Sequence, residues 1–91
     1  MLNKNINIKV ILLQLKMFYR TQRDLATAIN KTVDAYWNDE IEEKQLVKTI
    51  RALHKNNPNK LLKEEKFTTV IQQHCGKRRL EVVKRILDIN W

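Results

Sequence analysis

One glycine and one proline punctuate the whole chain of 91 residues. So few breakers leave no turn chemistry for a sandwich or a barrel, and the chain is expected to fold into helices. The two breakers also say where helices stop. Pro58 lies in Asn56-Asn57-Pro58-Asn59, and proline disfavours helix in the residue before it. Gly76 separates the apolar Phe67-Thr68-Thr69-Val70-Ile71 from a second series, Leu80, Val83 and Leu87. That series recurs at three and four, which is helical spacing. A glycine in this position reads as the left-handed C′ cap of one helix and the tight turn before the next.

Upstream, Leu25, Ile29, Val33 and Tyr36 recur at four, four and three, and Thr21 with Asp24 makes an abbreviated capping box. They predict a helix over 21–38. Asn38-Asp39 reads as a turn plus N-cap for a second helix over 40–55, with Leu46, Ile50 and Leu53 facing inward. Its acids (Glu40, Glu42, Glu43) come first and its bases (Lys48, Arg51, Lys55) last, which suits the helix dipole. The third and fourth helices are expected at 67–75 and 77–89.

The expected fold is therefore mainly α, a small single domain of four helices ending in a helix–glycine turn–helix, the shape of a helix-turn-helix core. A winged variant needs a β-ribbon, for which residues 6–13 and 60–63 are the candidates. Lys63-Glu64-Glu65-Lys66 reads as a solvated loop or turn. The helical domain is assigned to 18–91 and an N-terminal extension to 1–17. In that extension Ile6, Ile8 and Val10 alternate with polar residues at a period of two. A short strand, an extension of the first helix and a disordered tail all fit, as does a true start at Met17.

Charge points to the partner. The net charge of +8 favours nucleic acid first and an anionic membrane surface second. Six of the ten acids fall between Gln22 and Gln45, so a phosphate-binding surface is expected elsewhere. Lys77, Arg78 and Arg79 follow Gly76 at a helix start, where the dipole favours acids and disfavours bases. A phosphate beside them would relieve that conflict. The competing reading is a solvated basic face with Glu81 and Asp88 as its internal partners. Arg78 and Arg85 lie seven apart and share a face, as do Lys77 and Lys84. Lys48, Arg51 and Lys55 form a second row on the preceding helix. If the two rows converge, they make one patch of phosphate-backbone contacts.

Catalytic and metal chemistry find little support. The chain has no serine. His74 and Cys75 are adjacent, and adjacent helical side chains diverge, so Cys75 reads as a buried structural thiol. Two histidines and one cysteine fall short of a zinc set. One glycine rules out a glycine-rich phosphate loop. The acids from Asp39 to Glu43 lack the alternation of a calcium loop and read as a helix start. Tyr36 and Trp37 border the apolar stripe and are expected in the core, and Trp91 at the core edge or a dimer contact. A lone cysteine fits a reducing cytoplasm, and no apolar run approaches the ~18 residues of a membrane span. No enzyme activity, metal, cofactor or small-molecule substrate is expected.

Three features together resemble a family of short, uncharacterised proteins of low-GC Gram-positive bacteria. These are the helix ending in Tyr36-Trp37, the acidic start Glu40 to Glu43, and the closing helix Gly76-Lys77-Arg78-Arg79-Leu80-Glu81. The resemblance covers about Phe18 to Leu87, and family members tend to begin near Met17. It implies a small helical domain of the bacterial cytosol and carries no mechanism.

The leading expectation is a non-enzymatic nucleic-acid-binding accessory or regulatory protein, dimeric, of a phage, plasmid or other mobile element. Lys77, Arg78, Lys84 and Arg85 would contact the phosphates of duplex DNA, extended by Lys48, Arg51 and Lys55. The alternative is a small adaptor that binds another protein and has no nucleic-acid role.

Overall fold

The computed structural model describes residues 18–89. Helix α1 (Gln22–Trp37) is followed by α2 (Glu43–Asn56) and the single turn α3 (Pro58–Leu61). A two-stranded hairpin, β1 (Leu62–Lys63) and β2 (Lys66–Phe67), leads into α4 (Thr69–Leu87). The described residues are thus mainly helical, with four helices and one small antiparallel sheet. The proposed strand over 6–13, the tail readings of 1–17 and the placement of Trp91 lie outside the described residues.

Helix α1 starts where its cap demands. Thr21 is extended, and its Oγ1 accepts the Asp24 amide at 3.0 Å. The helix ends in a Schellman motif: Glu40 N–H donates to Ala35 O at 2.9 Å and Asp39 N–H to Tyr36 O at 3.0 Å. Asp39, at φ 58°, is the left-handed residue of that motif. This corrects the expectation that Asp39 caps the second helix. Asp39 closes α1, buried Ile41 pins the connection, and α2 begins only at Glu43.

Pro58 occupies the first turn of α3, where its missing N–H costs nothing. The piece at 60–63 does form a strand, at Leu62–Lys63, but its partner is Lys66–Phe67, with Leu62 opposite Phe67 and Lys63 opposite Lys66. Glu64 and Glu65 make the two-residue turn, both at positive φ (54° and 64°). That is the backbone a type I′ hairpin turn requires.

The two helices expected on either side of Gly76 are both present, over 69–75 and 77–87; they meet in a kink at that residue and are together called α4. Gly76 sits at φ 81°, ψ 165°, an extended positive-φ region essentially confined to glycine, and not in the left-handed helical well of a C′ cap. The break is one residue long, shorter than the three or four residues of a helix-turn-helix turn.

One core holds these elements. Leu25, Ile29 and Val33 of α1 meet Leu46, Ile50 and Leu53 of α2 and Ile71, Leu80 and Val83 of α4, all fully or nearly fully buried. Phe67 brings the hairpin onto the same core. Burial of each such side chain is worth about 1.5–3 kcal/mol, so helix pairing follows the apolar stripes.

Candidate nucleic-acid interface

The cations after Gly76 take three different positions. Arg79 turns inward along the α1–α4 seam. Its Nε and Nη2 donate to the two carboxylate oxygens of Asp34 at 2.9 and 3.0 Å, and Nη1 donates to Cys75 O at 3.2 Å. The bond to Asp34 leads in holding its guanidinium pKa above the ordinary value. Arg78 lies 5.8 Å from the centroid of the Trp37 ring, within cation–π range. Trp37 is 44% exposed, so the expected core placement of this tryptophan is corrected: it forms a shelf at the end of α1. Tyr36 packs partly buried against the core.

Lys77, Arg78 and Arg85 are exposed and Lys84 is half-buried. One carboxylate sits among all four. Glu81 is four residues after Lys77, three after Arg78, three before Lys84 and four before Arg85. Those offsets make it a surface neighbour of each, and Lys84 Nζ lies 3.6 Å from its Oε1. The outer face of α4 is basic around an acidic centre.

Lys48, Arg51 and Lys55 are exposed on the side of α2 opposite Leu46, Ile50 and Leu53. They turn straight out from the core. Lys48 and Arg51, with Lys44, Val47 and Glu43, line an open groove made of α2 residues alone. The two predicted rows therefore sit on the outer faces of two helices, each row with an acid beside it.

A third cationic cluster was not foreseen. Thr68 caps α4 by accepting the Ile71 amide at 3.3 Å, and its hydroxyl donates to Gln22 Oε1 at 2.7 Å. That tie sets the starts of α1 and α4 side by side. Arg23 Nε then donates to His74 Nε2 at 3.4 Å, and Asn30 Nδ2 donates to His74 O at 2.9 Å. Arg20, Arg23, Lys60 and His74, with Val70 and Gln73, line a groove of about 630 Å³. No local signal joins these residues, because they come from the lead-in to α1, from α1, from α3 and from α4.

Cys75 is buried, 2% exposed, with its thiol directed at Ala26 O at 3.8 Å. Burial pushes its pKa up to about 11, against a smaller downward pull from Arg79. Such a thiol is protonated and unreactive at neutral pH. Among the described residues, no three His, Cys, Asp or Glu side chains are placed to share a metal ion. None of the described helices is long and apolar enough to cross a membrane.

No curated protein and no solved structure matches the chain. A family of conserved hypothetical proteins matches residues 16–88, spanning every element from α1 to α4. The chain belongs to that family of conserved hypothetical proteins.

Proposed function

We propose that the protein is a non-enzymatic nucleic-acid-binding accessory or regulator that grips the phosphate backbone of duplex DNA through the outer face of α4. The observation that carries this reading is the exposure of Lys77, Arg78 and Arg85 on one helical segment, with Lys84 at its side. Their side chains extend from a rigid element whose inner face is locked by Leu80 and Val83. Lys48, Arg51 and Lys55 add a second basic row on α2. The Trp37 shelf holds the Arg78 guanidinium in place, which lowers the entropy lost on meeting a phosphate. A dimer in the cytoplasm of a low-GC Gram-positive bacterium, encoded on a mobile element, is the setting we infer.

The test is binding to a short labelled duplex at several salt concentrations. Arg78→Ala/Arg85→Ala weakens binding alike for all sequences and lowers the slope of log affinity against log salt by about 2. Glu81→Gln removes the central carboxylate and tightens binding a few-fold. Unchanged affinity in both variants overturns the assignment. The adaptor reading needs a contiguous apolar surface. Phe18 (70% exposed) and Trp37 are the exposed large hydrophobics among the described residues, and they flank opposite ends of α1. That helix is roughly 24 Å long, so the two side chains form no single patch.

A further inference from the structure

We infer that the groove between the starts of α1 and α4 is a binding site for a phosphate group, held by Arg23 and Lys60 with Arg20 and His74 beside them. Three segments far apart in sequence deliver these residues to one groove: residues 20–23, Lys60 and His74. Bringing like charges together is unfavourable unless each finds an opposite charge. Arg79 meets that need in Asp34, and Lys84 in Glu81. Among the described residues no carboxylate comes within ion-pair distance of Arg20, Arg23 or Lys60, and none lines the groove.

The donors are also pre-arranged. The Arg23 guanidinium is oriented by His74, whose own carbonyl is fixed by Asn30. Tyr19, next to Arg20, is tied to buried Asn57 at 3.0 Å, which anchors the lead-in segment that carries Arg20. Guanidinium groups suit phosphate oxygens because their planar donors bind two at once, and lysine adds a point charge. The groove is open enough to admit a phosphate together with whatever it is esterified to, and the start of α1 adds its partial positive charge. The groove shares no cation with the outer face of α4, so either site can fail alone.

The phosphate can belong to a nucleic-acid backbone or to a small phosphorylated compound, and one experiment separates them. The ring signals of the chain's two histidines are followed by NMR in the intact protein, with a His54→Gln variant to assign them. Inorganic phosphate is added at constant ionic strength, and in a second arm a short duplex with unphosphorylated ends. A saturable shift of the His74 ring with phosphate supports the site. The same shift with the duplex, reversed by salt, assigns the group to the backbone, and its absence there assigns it to a small compound. Arg23→Gln/Lys60→Gln, which changes surface residues and is checked by thermal melting, weakens the effect by about tenfold or more. Arg78→Ala/Arg85→Ala leaves the phosphate shift intact. No saturable shift in either arm, or an equal shift in the groove variant, overturns the site.

Discussion

The backbone N–H of Tyr19 donates to the Oδ1 of Asn57 at 3.0 Å, joining residues 38 apart in sequence. The same amide group donates from Nδ2 to Leu53 O at 2.8 Å, in the last turn of α2. Asn57 is 3% exposed, so one buried side chain closes α2 and anchors the segment that enters α1. An unpaired buried donor or acceptor costs about 1–3 kcal/mol.

Asn57→Ala is therefore expected to lower stability by about 1–3 kcal/mol in urea unfolding, with the denaturant slope unchanged. An effect within ~0.5 kcal/mol would mean that water replaces both bonds without loss.

The hairpin carries the opposite liability. Glu64 and Glu65 hold positive φ, which costs a non-glycine residue about 1–2 kcal/mol. Lys63 faces Lys66 directly across the ladder, a like-charge pair. Glu64→Asn/Glu65→Gly supplies the residues a type I′ turn prefers. The double variant is expected to melt higher, gaining about 1–2 kcal/mol. A lower melting temperature would show that the glutamates make a compensating interaction with the flanking lysines.

Cys75 makes stability depend on alkaline pH. Below pH 9 the thiol is protonated in both folded and unfolded chains. From about 9.0, the ordinary value, the unfolded thiol ionises while the native one, at about 11, does not. The unfolded state then binds fewer protons, so stability falls as pH rises across that window. The loss reaches about 2–3 kcal/mol near pH 11. It is measured as wild type minus Cys75→Ala, which leaves the titrations of lysine and tyrosine common to both. Parallel pH profiles for the two proteins would remove the thiol from the account.

Much of the fold was legible because it follows from local pattern. Leu25, Ile29 and Val33 marked α1, and Thr21 marked its start within one residue. The start of α2 was misplaced because aspartate suits both an N-cap and a left-handed C′ position, and only the Glu40-to-Ala35 hydrogen bond decides between them. Of the hairpin, the strand within 60–63 and the turn after it were legible, but the partner Lys66–Phe67 was not, because a strand of two residues has no period to detect. Lys77, Arg78, Lys84 and Arg85 were readable as one basic helix face. The groove at Arg20, Arg23, Lys60 and His74 was not, since tertiary contacts such as Thr68 with Gln22 create it.

Gly76 gives a test that needs no contact at all. A Cβ built there meets nothing within 4 Å, so sterics with the rest of the fold do not explain the residue. Gly76→Ala is still expected to lose about 1–3 kcal/mol in thermal or urea unfolding, from backbone strain alone.

The consequence is one of handedness. Reflected, the backbone angles of Gly76 fall at the edge of the extended region open to ordinary residues. What position 76 refuses is not a side chain but an L-configured one. A chemically synthesised chain carrying D-alanine there puts its methyl in place of the other Cα hydrogen, with the backbone in the region that configuration permits. It restricts the unfolded chain more than glycine does, so it should match or exceed the native stability. The bend in α4 is thus a demand on chirality, met in a ribosomal chain by the one achiral residue.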